Sequence, residues 1–270
     1  MMVHNRRLFC TSAMATFMGI AGPHPLARAQ VNSLGDAINK AGRQRMLSQR
    51  MGKAWLGLGL GLGQGIQADA ARRVLDQSMS LFDRQLAELK VFAPAGDTRD
   101  TYVQLESAWS DYKGLLVGSA PARDKANAVL TQAGKVLALA HKGTGQLEVQ
   151  AAKPAAKLVN IAGRQRMLSQ RMAQFYLANM WNVDSVTSLA ELAKARAEFV
   201  PALEVLRNAP EASAEIKQEL TLADSQWLFF DNALKSRDVT AKSASDVFVT
   251  SENLLQVMDR VTGLYARILG

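Results

Sequence analysis

Eleven consecutive residues, Ala41-Gly42-Arg43-Gln44-Arg45-Met46-Leu47-Ser48-Gln49-Arg50-Met51, recur without a difference at Ala162 to Met172. A chain that carries the same segment twice is built from two copies of one unit, and its fold has to satisfy both. The rest of the duplication is looser. Phe82, Leu86 and Leu89 align with Phe199, Leu203 and Leu206, Ala93-Pro94 with Ala209-Pro210, and Trp109 with Trp227. Near the end of each unit Val129, Val136, Leu137, Thr144 and Gly145 fall opposite Val247, Leu254, Leu255, Thr262 and Gly263. A duplicated core needs only its apolar positions kept. Verbatim retention of three arginines, two glutamines and a serine therefore points to a specific task for this segment.

Apolar residues recur at helical intervals, as in Leu75, Met79, Phe82, Leu86 and Leu89 and again in Leu220, Ala223, Trp227, Phe230 and Leu234. No stretch shows strand alternation bounded by turns. Breaks at Ala93-Pro94-Ala95-Gly96, Gly118-Ser119-Ala120-Pro121, Asn208-Ala209-Pro210 and Ser236-Arg237-Asp238 divide each unit into four helices. The expected spans are 31–62, 67–93, 98–117 and 123–150, then 153–181, 185–208, 212–235 and 240–268. Short loops between amphipathic helices predict an all-α chain of two tandem antiparallel four-helix bundles, with a single larger helical array as the competing arrangement. Pro154 marks either the start of the second unit or a kink in one connecting helix. The alternating glycines of Leu56-Gly57-Leu58-Gly59-Leu60-Gly61-Leu62-Gly63 each cost a helix about 1 kcal/mol against alanine, so the first helix is expected to fray or bend there. Their spacing is not that of a dinucleotide fingerprint.

The N-terminus reads as an export signal. Arg6-Arg7-Leu8-Phe9 precedes a weakly apolar stretch from Ala13 to Gly22 that closes with Ala27-Arg28-Ala29, predicting a signal peptide over residues 1–29 cut before Gln30. The arginine pair resembles a twin-arginine signal, with an ordinary secretory signal as the alternative. Both routes predict a periplasmic protein with domains at 30–150 and 151–270. Cleavage removes Cys10, His4 and His24, leaving no cysteine and only His141 among histidines. That inventory argues against structural zinc, iron–sulfur clusters, cysteine nucleophiles and histidine triads, so no catalytic residue, metal ligand or cofactor is assigned. The formal charge of +8 includes Arg6, Arg7 and Arg28 of the signal. The remaining basic excess favours a small anionic ligand and gives little support to nucleic acid as a partner. No later segment reaches bilayer-spanning length, which predicts a soluble mature chain without a transmembrane segment.

At 100° per residue, Ile38, Gly42, Arg45, Gln49 and Gly52 lie within about 40° of one line, and Val159, Gly163, Arg166, Gln170 and Ala173 repeat it. Small residues flanking an arginine let a second helix approach closely. A guanidinium held between the two must then find an anion or carboxylate to offset its desolvation. Leu47 and Met51 point into the unit's own core, whereas Arg43 and Arg50 lie to the side and are expected to be solvated. The plainer alternative is a polar face paired with carboxylates such as Asp36, Glu88 or Glu106.

Asn39-x-Ala41-Gly42-x-x-Arg45-Met46-x-Ser48-x-Arg50 and Asn160-x-Ala162-Gly163-x-x-Arg166-Met167-x-Ser169-x-Arg171 resemble the first-helix signature of the periplasmic domains of nitrate/nitrite sensor histidine kinases. They resemble still more the related N-terminal domain of type IV pilus methyl-accepting chemotaxis transducers. The resemblance implies an antiparallel four-helix bundle that pairs with a second copy and binds one nitrate at the symmetric interface, through the signature arginine and backbone near the signature glycine. Carried over by position, the implied anion-binding residues are Arg45 with Gly42 and Arg166 with Gly163, supported by Gln49, Gln170, Asn39, Asn160, Arg50 and Arg171. The chain departs from that pattern in having no transmembrane helix or signalling module and in holding two signature helices. Two such helices in one molecule predict Arg45 opposite Arg166 around a single anion.

Three functions follow as expectations. The first is an exported sensory protein binding nitrate, nitrite or a similar small oxyanion, with a membrane-bound sensor or transporter component as partner. The second is a helical scaffold that docks such a partner through the same helix face, without a small ligand. An enzyme is the third, and neither a lone histidine nor the absence of paired carboxylates around the signature supports it.

Overall fold

The computed structural model describes residues 30–61, 66–236 and 240–270. The expected signal peptide therefore lies outside the described residues. Val31–Gly270 forms one compact unit. Among the described residues the secondary structure is helical: α1 (Leu34–Gly59), α2 (Ile66–Phe92), α3 (Asp97–Val117), α4 (Arg123–Ala151), α5 (Pro154–Met180), α6 (Ser185–Arg207), α7 (Ala214–Leu234) and α8 (Ala241–Leu269).

The helix ends have local causes. Ser33 caps α1 by accepting from the backbone N–H of Asp36 at 3.1 Å, and Asp184, Ser213 and Thr240 cap α6, α7 and α8 in the same way. Of the two readings of Pro154, the structure takes the break: Ala152 adopts a left-handed conformation (φ 49°) and Pro154 opens α5 in the first turn, where its missing N–H costs nothing. The glycine-rich end of α1 is also a break. The helix stops at Gly59, and Gly61 follows at φ 65°. Gly59 has a packing role as well, because the Trp181 ring occupies the space a Cβ would need.

In the first half α1 packs on α2 and α4, and α3 closes the ring between them; α5, α6, α7 and α8 repeat the arrangement. These are two antiparallel four-helix bundles. The duplication extends to their aromatic cores: Phe82 and Trp109 lie 4.3 Å apart between ring centroids, and Phe199 and Trp227 lie 4.6 Å apart. Each tryptophan then meets a third ring edge-on, Tyr112 in one bundle and Phe230 in the other. Each such pair contributes about 0.5–1.5 kcal/mol beyond burial alone.

The bundles share a wall. α1 and α5, the signature helices, pack against each other along their length, and α8 also reaches α1 while α4 reaches α5. Leu47 and Met51 are fully buried, as their side of the stripe predicts.

Candidate functional site

The signature helices meet through their glycines. A Cβ built on Gly42 would lie 3.9 Å from the Gly163 Cα, and would stand 3.1 Å from Arg45 Nη2 and 3.4 Å from Arg166 Nη2. From Gly163 the corresponding distances are 3.2 Å to Arg166 Nη2 and 3.3 Å to Arg45 Nη2. Both guanidinium groups therefore converge on one glycine–glycine contact.

The arginines cross as they meet. Arg45 Nη2 donates to the Asn160 carbonyl at 3.1 Å, and Arg166 Nη2 donates to the Asn39 carbonyl at the same distance. Both residues are 0% exposed, and the Nε of each has no hydrogen-bond partner within the protein. Burial, reinforced by Arg166, pulls the Arg45 guanidinium down to about 9. Burial likewise holds Arg166 near 10, against the attraction of Asp259. Both remain protonated at neutral pH, so the seam holds two facing buried cations, each donating through Nη2 to its own neutral carbonyl on the opposite helix.

The remaining signature residues brace this pair. Ser48 Oγ and Ser169 Oγ each donate at 2.8 Å to the carbonyl of the arginine three residues earlier. Gln49 Nε2 donates to Ser48 Oγ and to the Ala133 carbonyl, and Gln170 Nε2 donates to Ser169 Oγ and to the Ser251 carbonyl. The second helix also grips the first: Arg171 Nη1 donates to Gln49 Oε1 at 2.9 Å. Gln44 and Gln165 are buried with neither amide atom hydrogen-bonded within the protein.

Arg43 and Arg50 are not solvated as their position on the helix projection predicts. Arg43 Nη2 donates to Asp259 Oδ1 at 2.7 Å, a carboxylate that also accepts from Arg166 Nη1. Arg50 Nε donates to both oxygens of Glu252, at 3.0 and 3.1 Å. Their carboxylates come from α8, which the helix projection does not include. Nor are the motif arginines paired with Asp36, Glu88 or Glu106. Lys40 bridges Asp36 and Glu88, and Glu106 binds Lys90.

Sequence reasoning thus missed Asp259, Glu252 and Lys53, whose ammonium is fully buried and donates to Glu252 Oε1 at 2.6 Å and to Ser251 Oγ at 2.9 Å. The flanking arginines and Lys53 hold both carboxyls down to about 2 in spite of their partial burial. The repeat register carries a usable signal. Aligning Val129 with Val247 and Thr144 with Thr262 sets His141 opposite Asp259, and the two occupy equivalent places. Arg45 Nη1 lies 3.2 Å from His141 Nδ1, where Arg166 Nη1 binds Asp259. Burial, with Arg45 and Arg164 beside it, lowers the His141 pKa, and because a guanidinium can only donate, the Nδ1 that faces Arg45 is the acceptor.

No group of histidine, cysteine or carboxylate side chains among the described residues is arranged to hold a metal ion. Neither is any helix there long and apolar enough to cross a membrane.

Neither a curated protein nor a solved structure matches the chain. The PilJ family model, described as type IV pili methyl-accepting chemotaxis transducer N-term, matches it twice, over residues 26–141 and 148–255. The two matches fall on the two bundles and together take in most of the sequence: the chain belongs to the family of N-terminal domains of type IV pili methyl-accepting chemotaxis transducers, in tandem duplicate.

Proposed function

We propose that the chain is a non-catalytic periplasmic sensor, and that Arg45 and Arg166 bind one small planar oxyanion, nitrate or nitrite, at the Gly42–Gly163 contact. The observation that carries this reading is the convergence of both Nη2 atoms on that contact from opposite helices. Each donates there to a neutral carbonyl of the other helix. A planar anion accepting from both would replace those ion–dipole bonds with ones in which donor and acceptor are both charged, and would relieve the repulsion between the cations. Gln49, Gln170, Asn39, Asn160, Arg50 and Arg171 support the pair by fixing the helices around it.

The close glycine contact leaves little room, so an anion entering the seam has to part α1 from α5. Binding then biases the relative position of the two bundles, which is the output a sensor needs. Export by the signal in residues 1–29, cut before Gln30, places the chain in the periplasm, where a membrane-bound sensor or transporter component reads that position. An exposed signature stripe would favour the docking alternative; α1 and α5 instead pack that stripe against each other, which supports the ligand reading.

The test is thermal unfolding with nitrate or nitrite, with chloride as the ionic control. A ligand at 100 times its Kd adds about 2.7 kcal/mol, a shift of several degrees for a protein of this size. A nitrate-selective shift lost in both Arg45→Ala and Arg166→Ala supports one shared site. No selective shift with either anion rejects it.

A further inference from the structure

The two bundles treat the same position in opposite ways. In the second, α8 supplies two carboxylates two helical turns apart: Asp259 accepts from Arg43 and Arg166, and Glu252 from Arg50 and Lys53. The register confirmed by Gln49 on Ala133 O and Gln170 on Ser251 O places His141 and Gly134 of α4 at the corresponding positions of the first bundle. Both carboxylates are missing there, but the arginines that would meet them are present: Arg164 corresponds to Arg43, Arg45 to Arg166 and Arg171 to Arg50.

Where the carboxylates are missing there is space. A cavity of about 260 Å³ is lined by Arg45, Gly134, His141, Arg164, Arg171 and Lys194, among others. A Cβ on Gly134 would meet nothing within 4 Å. Two carboxylates of α6 line the same cavity and take up part of the charge, Glu198 accepting from Arg164 Nε at 3.1 Å and Glu191 from Arg171 Nη2 at 2.6 Å. They do not reach Arg45. Its hydrogen bonds among the described residues go to His141 and a backbone carbonyl, its Nε has no partner, and Glu148, the carboxylate that attracts it, is engaged by Asn160.

We propose that this cavity is a second, one-sided binding site for a small organic carboxylate, which takes the place that Asp259 and Glu252 fill in the other bundle. A carboxylate seated between Arg45 and Arg164 reproduces the Arg166–Asp259–Arg43 arrangement. Arg171 and Lys194 extend the cationic lining toward Gly134, roughly 10 Å further along α4, which accommodates a second acidic group. The site shares Arg45 with the nitrate seam but does not rest on that reading, since it lies between α4, α5 and α6 and needs no parting of α1 from α5.

The experiment is thermal unfolding of the chain with acetate and with succinate against chloride, comparing it with His141→Asp and Gly134→Glu. These variants write the second bundle's carboxylates into the first. Wild type is expected to gain several degrees at saturating carboxylate. Both variants are expected to melt at or above the wild-type temperature without ligand, and His141→Asp to lose the carboxylate shift. The proposal is overturned by no selective shift with either acid, by an undiminished shift in both variants, or by variants that melt well below wild type. A nitrate titration of the same proteins separates the two sites: no nitrate shift beside an intact carboxylate shift rejects the seam alone, and the converse rejects the cavity alone.

Discussion

Glu252 of α8 crosses to the first bundle and places its Oε1 2.6 Å from Nζ of Lys53, an ammonium that is 0% exposed. Arg50 binds the same carboxylate, and the Phe248 ring lies 4.3 Å from the ammonium. Burial holds Lys53 down to about 8, so its charge at neutral pH depends on this one carboxylate. Glu252→Gln should cost about 3–5 kcal/mol, the magnitude of breaking a buried pair on one side. Lys53→Met combined with Glu252→Gln should recover part of that loss, because the stranded charge goes with it. Urea denaturation of both variants measures the difference.

Acid should act on the same cluster. Glu252 and Asp259 have folded-state pKa values near 2, against 4.5 and 3.8 in the unfolded chain. Because the folded values are depressed, the unfolded state binds more protons in this window, and the stabilisation present above about pH 4.5 is lost as pH falls toward 2. Wild-type stability should therefore fall steeply between pH 4.5 and 2. Glu252→Gln, less stable at neutral pH, should show a shallower slope in chemical denaturation across that range.

Asp259 competes with any anion for Arg166. Asp259→Asn leaves a fully buried guanidinium without its carboxylate. Because the Asp259 side chain is 42% exposed, water screens the pair and the loss should be about 1–3 kcal/mol, below that of a wholly enclosed bridge. If the seam binds nitrate, the nitrate-induced rise in melting temperature should be larger in this variant than in wild type. An equal or smaller rise would show that Arg166 is not used.

The glycine contact admits a direct test. A branched side chain at Gly42 would press on both arginines and on the Gly163 backbone, so Gly42→Val should destabilise by about 1–3 kcal/mol, as overpacking does. Gly134→Val, where a Cβ has open space, should be tolerated. Thermal melts of the two variants check the contrast.

Helix number and helix ends were legible because they are local: the periodicity of Leu75 to Leu89, the Ala93-Pro94 break and the first-turn Pro154 act within a few residues. The stripe of Gly42 and Arg45 was legible too, since a helical projection is enough to show which residues face a neighbour. What escaped is long-range. Asp259 and Glu252 lie more than 200 residues beyond Arg43 and Arg50, and only the folded α8 brings them near, so the two arginines looked free. Trp181 likewise explains Gly59 only after α5 has packed beside α1.

Joining the two bundles through Ala152 and Lys153 changes what evolution can do with the seam. Two identical copies meeting across a two-fold axis must carry every substitution twice, so a carboxylate introduced beside one arginine appears beside both and cancels the attraction for an anion on each side. A covalent tandem is released from that constraint. It can set Asp259 beside one arginine while its twin faces His141, and the pairing forms at any protein concentration because its halves are tethered.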